Sequence, residues 1–264
     1  MEACICIEML HEELPYEERI AAVASAGFGA VEFWSWKDKD IPAIAAAARS
    51  AGVRVANFSG HREGDLLDPA QRGLVAADFD SAMEARSLLD CPNLMLLAQS
   101  LGEGGRVLRP RPGEAGPSEI AAMAACVRAL LGRIPAGVEV SLCIEALNTA
   151  LDHPGYAVSK LSSAAALVSE VGDPRFGLLL DFYHQAMMGD DLLSLVAGYA
   201  RIVKHVHVAD APGRHEPGTG AIDWHAVLSA LGEAGYEGYV GFECSPSASS
   251  EAALEAIARL WRGL

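Results

Sequence analysis

Segments typical of β-strands and of α-helices alternate along the whole chain, and this alternation restricts the fold more than any other feature of the sequence. Short apolar runs rich in β-branched residues, such as 53–58 and 202–208, are each followed by a longer amphipathic stretch. Eight such strand and helix units fill the 264 residues. Regular alternation of this kind predicts parallel strands that are joined by helices.

Each predicted unit has a strand followed by a helix. We predict strands at 3–8, 30–33, 53–58, 93–98, 138–145, 176–181, 202–208 and 239–243. We predict helices at 15–27, 41–52, 69–89, 118–133, 157–171, 190–199, 223–234 and 249–262. Eight units in a chain of this length favour an α/β fold with a closed barrel, a single (β/α)8 TIM-barrel domain spanning residues 1–264.

Two further features bear on this interpretation. Segment 101–117 is rich in Gly, Arg and Pro, and because the same alternation resumes after it, we interpret it as an elaborated loop and not as a linker between domains. Neither the glycine fingerprint of a dinucleotide-binding fold nor a Walker phosphate loop is present. The chemistry of a barrel lies at the carboxyl ends of its strands, so the residues that end the strands matter most.

Composition excludes several classes of function. The formal net charge of −15 repels a phosphate backbone, so we expect no nucleic-acid partner. The apolar runs are too short to span a membrane, and the N-terminus lacks the pattern of a signal peptide, so we expect a cytoplasmic protein that acts on a small molecule. The six cysteines show no metal-binding spacing, which predicts buried free thiols.

Four consecutive predicted strands end in side chains that can bind a metal. They are Glu145, Asp181, His207 and Glu243. One acid at a strand end is equally typical of a helix N-cap or a surface ion pair, but four together favour a shared site. Three carboxylates and one imidazole suit Mn²⁺ or Mg²⁺, with Co²⁺ as a further candidate. A divalent cation is also the simplest way to hold three carboxylates close together.

Three side chains beside these strand ends are candidates for contact with a substrate. His184 follows Asp181 by three positions, and it suits either a hydrogen bond to a substrate hydroxyl or a packing role. Trp34 ends the second predicted strand, where it suits closure over a substrate, a subunit contact or plain packing. His61 follows the third predicted strand and is a weaker candidate.

Several of these segments together resemble the hydroxypyruvate isomerase family. The matching segments are Glu145–Thr149, Asp152–Tyr156, Asp181–His184 and the long run 205–220, with further agreement near residues 17–33. The family belongs to the xylose-isomerase-like barrels, which also contain the ketose 3-epimerases. The resemblance implies that Glu145, Asp181, His207 and Glu243 bind the metal and that Glu145 and Glu243 also act as the acid and base. It further implies that His184 and Arg214 contact the substrate and that the protein forms a homo-oligomer.

The activity that this resemblance implies is a metal-dependent isomerisation in carbohydrate metabolism through an enediolate, with hydroxypyruvate and tartronate semialdehyde as the expected substrate and product. One departure favours an alternative. Hydroxypyruvate isomerases often carry Gln at the position of His207, where ketose 3-epimerases carry His. Arg214 suits a grip on a substrate carboxylate, but equally a salt bridge with Glu216 or Asp210.

Two other functions fit the resemblance less well. A barrel endonuclease would need additional histidine ligands for a zinc cluster and a basic groove for DNA, and the acidic composition argues against both. A sugar-binding barrel without catalysis would have no need for four metal-binding strand ends.

Overall fold

The computed structural model of the protein, which describes all 264 residues, is a closed barrel of eight parallel strands. Each strand pairs with its neighbour in chain order, and β8 closes the barrel against β1. The predicted TIM barrel is therefore confirmed. The strands are Glu2–Cys6 (β1), Ala30–Glu32 (β2), Arg54–Ser59 (β3), Asn93–Leu96 (β4), Ser141–Glu145 (β5), Phe176–Asp181 (β6), Val203–Val208 (β7) and Tyr239–Phe242 (β8).

Nine helices surround the strands. They are Tyr16–Ser25 (α1), Ile41–Ala51 (α2), Arg72–Leu89 (α3), Pro117–Leu131 (α4), Leu161–Val171 (α5), Phe182–Met187 (α6), Leu192–Tyr199 (α7), Trp224–Glu233 (α8) and Ser250–Trp261 (α9). Short 3₁₀ turns lie at Pro69–Gln71, Glu103–Gly105 and Ala200–Ile202. None of the helices combines the length and the apolar character that crossing a lipid bilayer requires.

Local sequence signals explain where several helices begin and end. The Asp40 carboxylate accepts a hydrogen bond from Ala43 N at 3.0 Å at the start of α2, and Gly52 ends that helix with a left-handed φ of 67°. The Asp223 carboxylate caps α8 in the same way, through Ala226 N at 3.0 Å. The cap at Asp223 ends the loop after β7 that carries Arg214.

Alternation along each strand separates two buried layers. In β5, Leu142 and Ile144 belong to a cluster of 72 buried residues between the strands and the helices. Cys143 faces the other way, into the barrel, where it packs with Met95 and Leu179. Because side chains alternate with a period of two, Glu145 shares the inner face with Cys143. All six cysteines are buried and free, as predicted.

Two differences from the predicted elements lie close to the barrel's carboxyl end. Helix α5 begins at Leu161 and not at 157, because the backbone at 157–158 bonds to other segments: Ala157 N donates to the Gln99 side chain at 2.7 Å, and Leu147 N donates to Val158 O at 3.1 Å. Helix α6 was not predicted. It follows β6 directly, and its first turn is stabilised by the Asp181 carboxylate, which accepts from His184 N at 3.0 Å.

Candidate active site

The four strand-end side chains meet at the carboxyl end of the barrel. Glu145, Asp181, His207 and Glu243 each offer a ligand atom, and these atoms all lie within 4.8 Å of one another. All four side chains are buried. Neighbouring strands β5, β6, β7 and β8 deliver them in that order, so the cluster occupies one half of the barrel rim.

His207 is oriented toward the three carboxylates. Its Nδ1 atom lies 3.1 Å from Glu243 Oε2, 3.6 Å from Glu145 Oε1 and 3.9 Å from Asp181 Oδ2. This buried nitrogen makes no hydrogen bond of good geometry with any residue. A buried ring nitrogen that faces three carboxylates without a hydrogen bond is the arrangement expected of a metal ligand.

A buried carboxylate holds the other side of the His207 ring. Glu32, which ends β2, places Oε1 3.3 Å from His207 Nε2, and its Oε2 pairs with His205 Nε2 at 2.6 Å. His205 is fully buried in the barrel and hydrogen-bonded. Gly241 on β8 leaves the space for Glu32, since a Cβ at this position would overlap the Glu32 carboxylate. Glu32 is a site residue that sequence reasoning missed.

Asp181 has two roles at once. Its Oδ1 caps α6, while its Oδ2 faces His207 and Arg214. The Asp181 carboxylate therefore caps a helix with one oxygen and faces the cluster with the other. The cap turns the chain so that His184 lies beside the cluster, with His184 Nε2 3.6 Å from Asp181 Oδ2.

The His184 ring is held in one tautomer. Asn148 Nδ2 donates to His184 Nδ1 at 2.7 Å, while the Asn148 side-chain oxygen accepts from Leu151 N and Asp152 N. Because Nδ1 accepts, Nε2 carries the hydrogen and faces the cavity side of the ring. Burial lowers the pKa of His184 well below its ordinary value, and the Arg214 charge lowers it further, so the ring is neutral at physiological pH. Asn148 is a second residue whose role sequence reasoning missed, although it lies inside a recognised motif.

Two cationic or donor groups hold Glu243. Arg214 Nη2 lies 2.5 Å from Glu243 Oε2 and 3.5 Å from Asp181 Oδ2, and the Trp34 indole N–H donates to Glu243 Oε1. Arg214 thus pairs neither with Glu216 nor with Asp210. Trp34 keeps 37% of its surface exposed and reaches the site through its indole edge.

The two carboxylates with predicted acid and base roles differ in their electrostatic surroundings. Burial raises the pKa of Glu145 to about 7, against a partial offset by His207. Burial acts in the same direction on Glu243, but the charges of Arg214 and His207 overcome it and hold the pKa of Glu243 well below its ordinary value. Near neutral pH, Glu145 is therefore partly protonated while Glu243 is ionised.

A cavity of about 410 Å³ opens above the cluster. Its size falls in the usual range for a small-molecule site, roughly 300–1,000 Å³. Glu145, Glu243, Arg214, His184 and Trp34 all line it. Of the residues with predicted substrate contacts, only His61 lies elsewhere: its Nε2 lies 3.0 Å from Leu97 O, behind the cavity wall. The next residue, Arg62, lines the cavity instead.

The long loop after β4 forms one wall of this cavity. Residues 101–105 line it, and Gly105 O lies 2.7 Å from Nδ1 of His153, which also lines the cavity. Farther along the loop, Arg109 makes a bidentate ion pair with the buried Asp65, through Nε at 2.7 Å and Nη2 at 2.9 Å. The loop is therefore built into the site and is not a linker.

The residues present fit a divalent metal ion. Three carboxylates and one imidazole, all buried and within ligand distance of a common centre, match the donors that Mn²⁺, Mg²⁺ and Co²⁺ prefer. Glu32 supports the imidazole from behind, which is the usual arrangement for a metal-binding histidine.

Fold and site together define the class of protein. The family model of the xylose isomerase-like TIM barrels matches residues 20–262, and the chain belongs to this family. A Streptomyces coelicolor protein assigned as a hydroxypyruvate isomerase is 34% identical, over 97% of this chain and 96% of the relative. A 2-oxo-tetronate isomerase of Cupriavidus necator is 30% identical, over 94% of each chain.

A solved structure agrees over the same length. An AP endonuclease of family 2 from Brucella melitensis superposes with a TM-score of 0.87 at 26% identity, covering 98% of this chain and 99% of that one. The names of the curated relatives show that this protein is an isomerase.

Proposed function

We propose that the protein is a metal-dependent isomerase of a small hydroxy-oxo acid and that it interconverts hydroxypyruvate and tartronate semialdehyde. The convergence of Glu145, Asp181, His207 and Glu243 in one buried cluster carries this proposal. The relatives named for hydroxypyruvate and 2-oxo-tetronate isomerisation support the substrate class, since both names denote short acids with a carbonyl beside a hydroxyl-bearing carbon.

The four ligands would hold the metal, which when bound would act as a Lewis acid on the carbonyl and hydroxyl oxygens of the substrate. The residues of the chain supply the proton transfers. Glu243, ionised by the nearby Arg214, is the base that removes a proton from C3 of hydroxypyruvate. Glu145, the other carboxylate of the cluster that lines the cavity, is placed to return a proton at C2. The hydroxyl proton on C3 leaves and the oxygen on C2 gains one, so the change is a shift of two hydrogens without loss of an atom.

The remaining residues position the reacting groups. The His184 Nε2–H, fixed by Asn148, can donate to a substrate oxygen as negative charge develops there. Trp34 and Arg214 hold the Glu243 carboxylate from two sides, so that its orientation is set before the substrate binds.

The test is turnover of hydroxypyruvate by protein that is stripped of metal and then reloaded with Mn²⁺, followed by proton NMR in D2O. Tartronate semialdehyde should form only in the reloaded protein, and Glu243→Gln should lower the rate by at least about 10²-fold, the usual contribution of a general base. Glu139→Gln is the matched control, because Glu139 is exposed and precedes β5 at the opposite end of the barrel. Equal turnover by stripped protein or by Glu243→Gln would contradict the proposal.

The same NMR assay with a ketose as the substrate tests the alternative function, a ketose 3-epimerase, which the histidine at position 207 favours. An epimerase would return the proton to the same carbon from the opposite face, so deuterium would appear at C3 of a ketose with inversion. That result without any reaction of hydroxypyruvate would assign the site to the epimerases.

A further inference from the structure

The arginine that the sequence suggested for a substrate carboxylate is already engaged. Arg214 pairs with Glu243 and Asp181, and it is itself largely buried between them. Both contacts are made by Nη2, and although the buried Nε makes no hydrogen bond, the charge of Arg214 is already balanced by two carboxylates of the protein. An acidic substrate therefore needs a different cation in this cavity.

Arg62 is the other arginine that lines the cavity, and its guanidinium is unpaired. It makes no hydrogen bond and no ion pair with any residue, although the side chain is half-buried. The nearby acids are committed elsewhere: Asp78 pairs with Lys37 at 2.6 Å, and Glu63 pairs with the same lysine. A partly desolvated cation without a partner is costly, which is the mark of a group that awaits an anionic ligand.

The backbone around Arg62 is rigidly held, so its position does not depend on its side chain. Asp78 Oδ2 accepts hydrogen bonds from Arg62 N at 2.6 Å and from Glu63 N at 3.0 Å. The preceding His61 ring is buried and hydrogen-bonded to the backbone of the next strand. Substitution of the Arg62 side chain therefore removes no hydrogen bond and no ion pair of the fold.

Arg62 lies across the cavity from the metal-binding cluster. It follows β3, which is diametrically opposite β7 in the closed order of eight strands. Glu145 and Glu243 line the same cavity from the other side. A short ligand whose reacting carbons lie at the cluster thus extends its remaining end toward Arg62.

We propose that Arg62 binds the carboxylate of the substrate and makes the site specific for hydroxy-oxo acids over neutral sugars of the same length. This assignment rests on the proposed isomerase function. Four acids also line the cavity, Glu103, Glu145, Asp152 and Glu243, and its other arginine, Arg214, is paired with Glu243, so a free cation favours binding of an anion there. The planar guanidinium offers two parallel N–H donors, which match the two oxygens of a carboxylate.

The experiment compares hydroxypyruvate with dihydroxyacetone, which replaces the carboxylate by a neutral hydroxymethyl group. In Arg62→Gln, the ratio of kcat/KM for the acid to that for the neutral substrate should fall about 10- to 100-fold, mainly through KM of the acid. Arg62→Lys should restore part of the ratio, since it keeps the charge without the fork. An unchanged ratio in Arg62→Gln would overturn the proposal.

Arg106→Gln is the matched control. Arg106 is an exposed arginine without a partner, in the loop that walls the cavity, but its side chain does not line the cavity. In Arg106→Gln, the ratio of kcat/KM for hydroxypyruvate to that for dihydroxyacetone should stay within about twofold of the value for the unmodified protein, because exposed charges are screened by solvent. An equal fall in Arg106→Gln would show that general charge, and not Arg62, sets the preference.

Binding of tartronate separates this assignment from the proposed function, because tartronate has two carboxylates on a hydroxyl-bearing carbon but no carbonyl that could isomerise. If the unmodified Mn²⁺-loaded protein converts neither substrate, the isomerase proposal fails, and calorimetric titration with tartronate then decides the role of Arg62. Affinity weakened about tenfold or more in Arg62→Gln supports the carboxylate site. Equal affinity in both proteins overturns it.

Discussion

Binding of a metal should expel protons from this site. The number of protons released depends on the pKa values of His207 and Glu145 in the metal-free protein. Burial alone would lower the pKa of His207, but the carboxylates of Glu32, Glu243 and Glu145 overcome it and raise the pKa well above its ordinary value. His207 therefore carries a full proton at pH 7 in the metal-free protein. Glu145, with a pKa of about 7, carries about half a proton at this pH.

Both groups must be deprotonated to bind a metal, so loading at pH 7 should release about 1.5 protons per site. The release should fall as pH rises above 7, because Glu145 is then ionised before the metal binds, and it should increase as pH falls below 7. Asp181, whose pKa is also raised by burial, adds to the release at the acidic end. The apparent affinity for Mn²⁺ should rise with pH for the same reason.

Calorimetric titration of stripped protein with Mn²⁺, repeated in buffers of different ionisation enthalpy, measures this release directly. In Glu145→Gln the release at pH 7 should be smaller than in the unmodified protein, because the carboxyl group that titrates near this pH is absent. A release near zero at pH 7 would refute the reasoning, since it would mean that His207 is neutral in the metal-free protein. A release that is independent of pH in the unmodified protein would refute the assignment of the titration to Glu145.

Two further predictions concern the carboxylate beneath the site. Burial opposes ionisation of Glu32, but His207 and His205 lower its pKa to about 2. The ionised carboxylate therefore adds about 3 kcal/mol to the free energy of unfolding above pH 4.5, and this stabilisation is lost as pH falls toward 2. Glu32→Gln should lower the free energy of unfolding of metal-free protein by about that amount at pH 7 and by less below pH 4, as measured by urea unfolding. Gly241→Ala should destabilise the protein by about 1–3 kcal/mol, because the new Cβ overlaps the Glu32 carboxylate.

Both predictions have clear contrary outcomes. A difference for Glu32→Gln that stays constant from pH 7 to pH 3 would mean that the charge of Glu32 is not its source. Gly198→Ala is the control for Gly241→Ala, since Gly198 lies in α7 with open space around its Cβ position, and alanine there should be neutral or slightly stabilising. Equal destabilisation by the two changes would refute the steric explanation.

The meeting of the four strand-end side chains could be predicted from the sequence pattern of the strands and from the geometry of a parallel barrel. Apolar alternation locates the strands, and parallel strands of a barrel all end at the same face, so Glu145, Asp181, His207 and Glu243 had to approach one another. The helix cap at Asp223 was readable for a similar reason, because it depends on residues three positions apart.

The side chains that contact this cluster could not be predicted from the sequence pattern. Glu32 meets His205 across 173 positions of sequence, and Arg214 reaches Glu243 and not the acids beside it in the chain. Nor did the pattern after β3 distinguish His61, which turns behind the cavity wall, from Arg62, which lines the cavity. The directions of adjacent side chains in a loop depend on how the loop packs against the rest of the protein, and the sequence pattern does not show this packing.

The sequence by itself determined the barrel fold and the end of the barrel at which the site lies. Both follow from the local patterns of strands and helices and from the parallel order of the strands. Only the tertiary structure decided which side chains face one another across the rim. Closure of the barrel lets Glu32 of β2 reach His207 of β7 across the interior and sets β3 opposite β7, and the resulting distances decide which charges are neutralised within the protein. Arg214 is neutralised in this way and Arg62 is not.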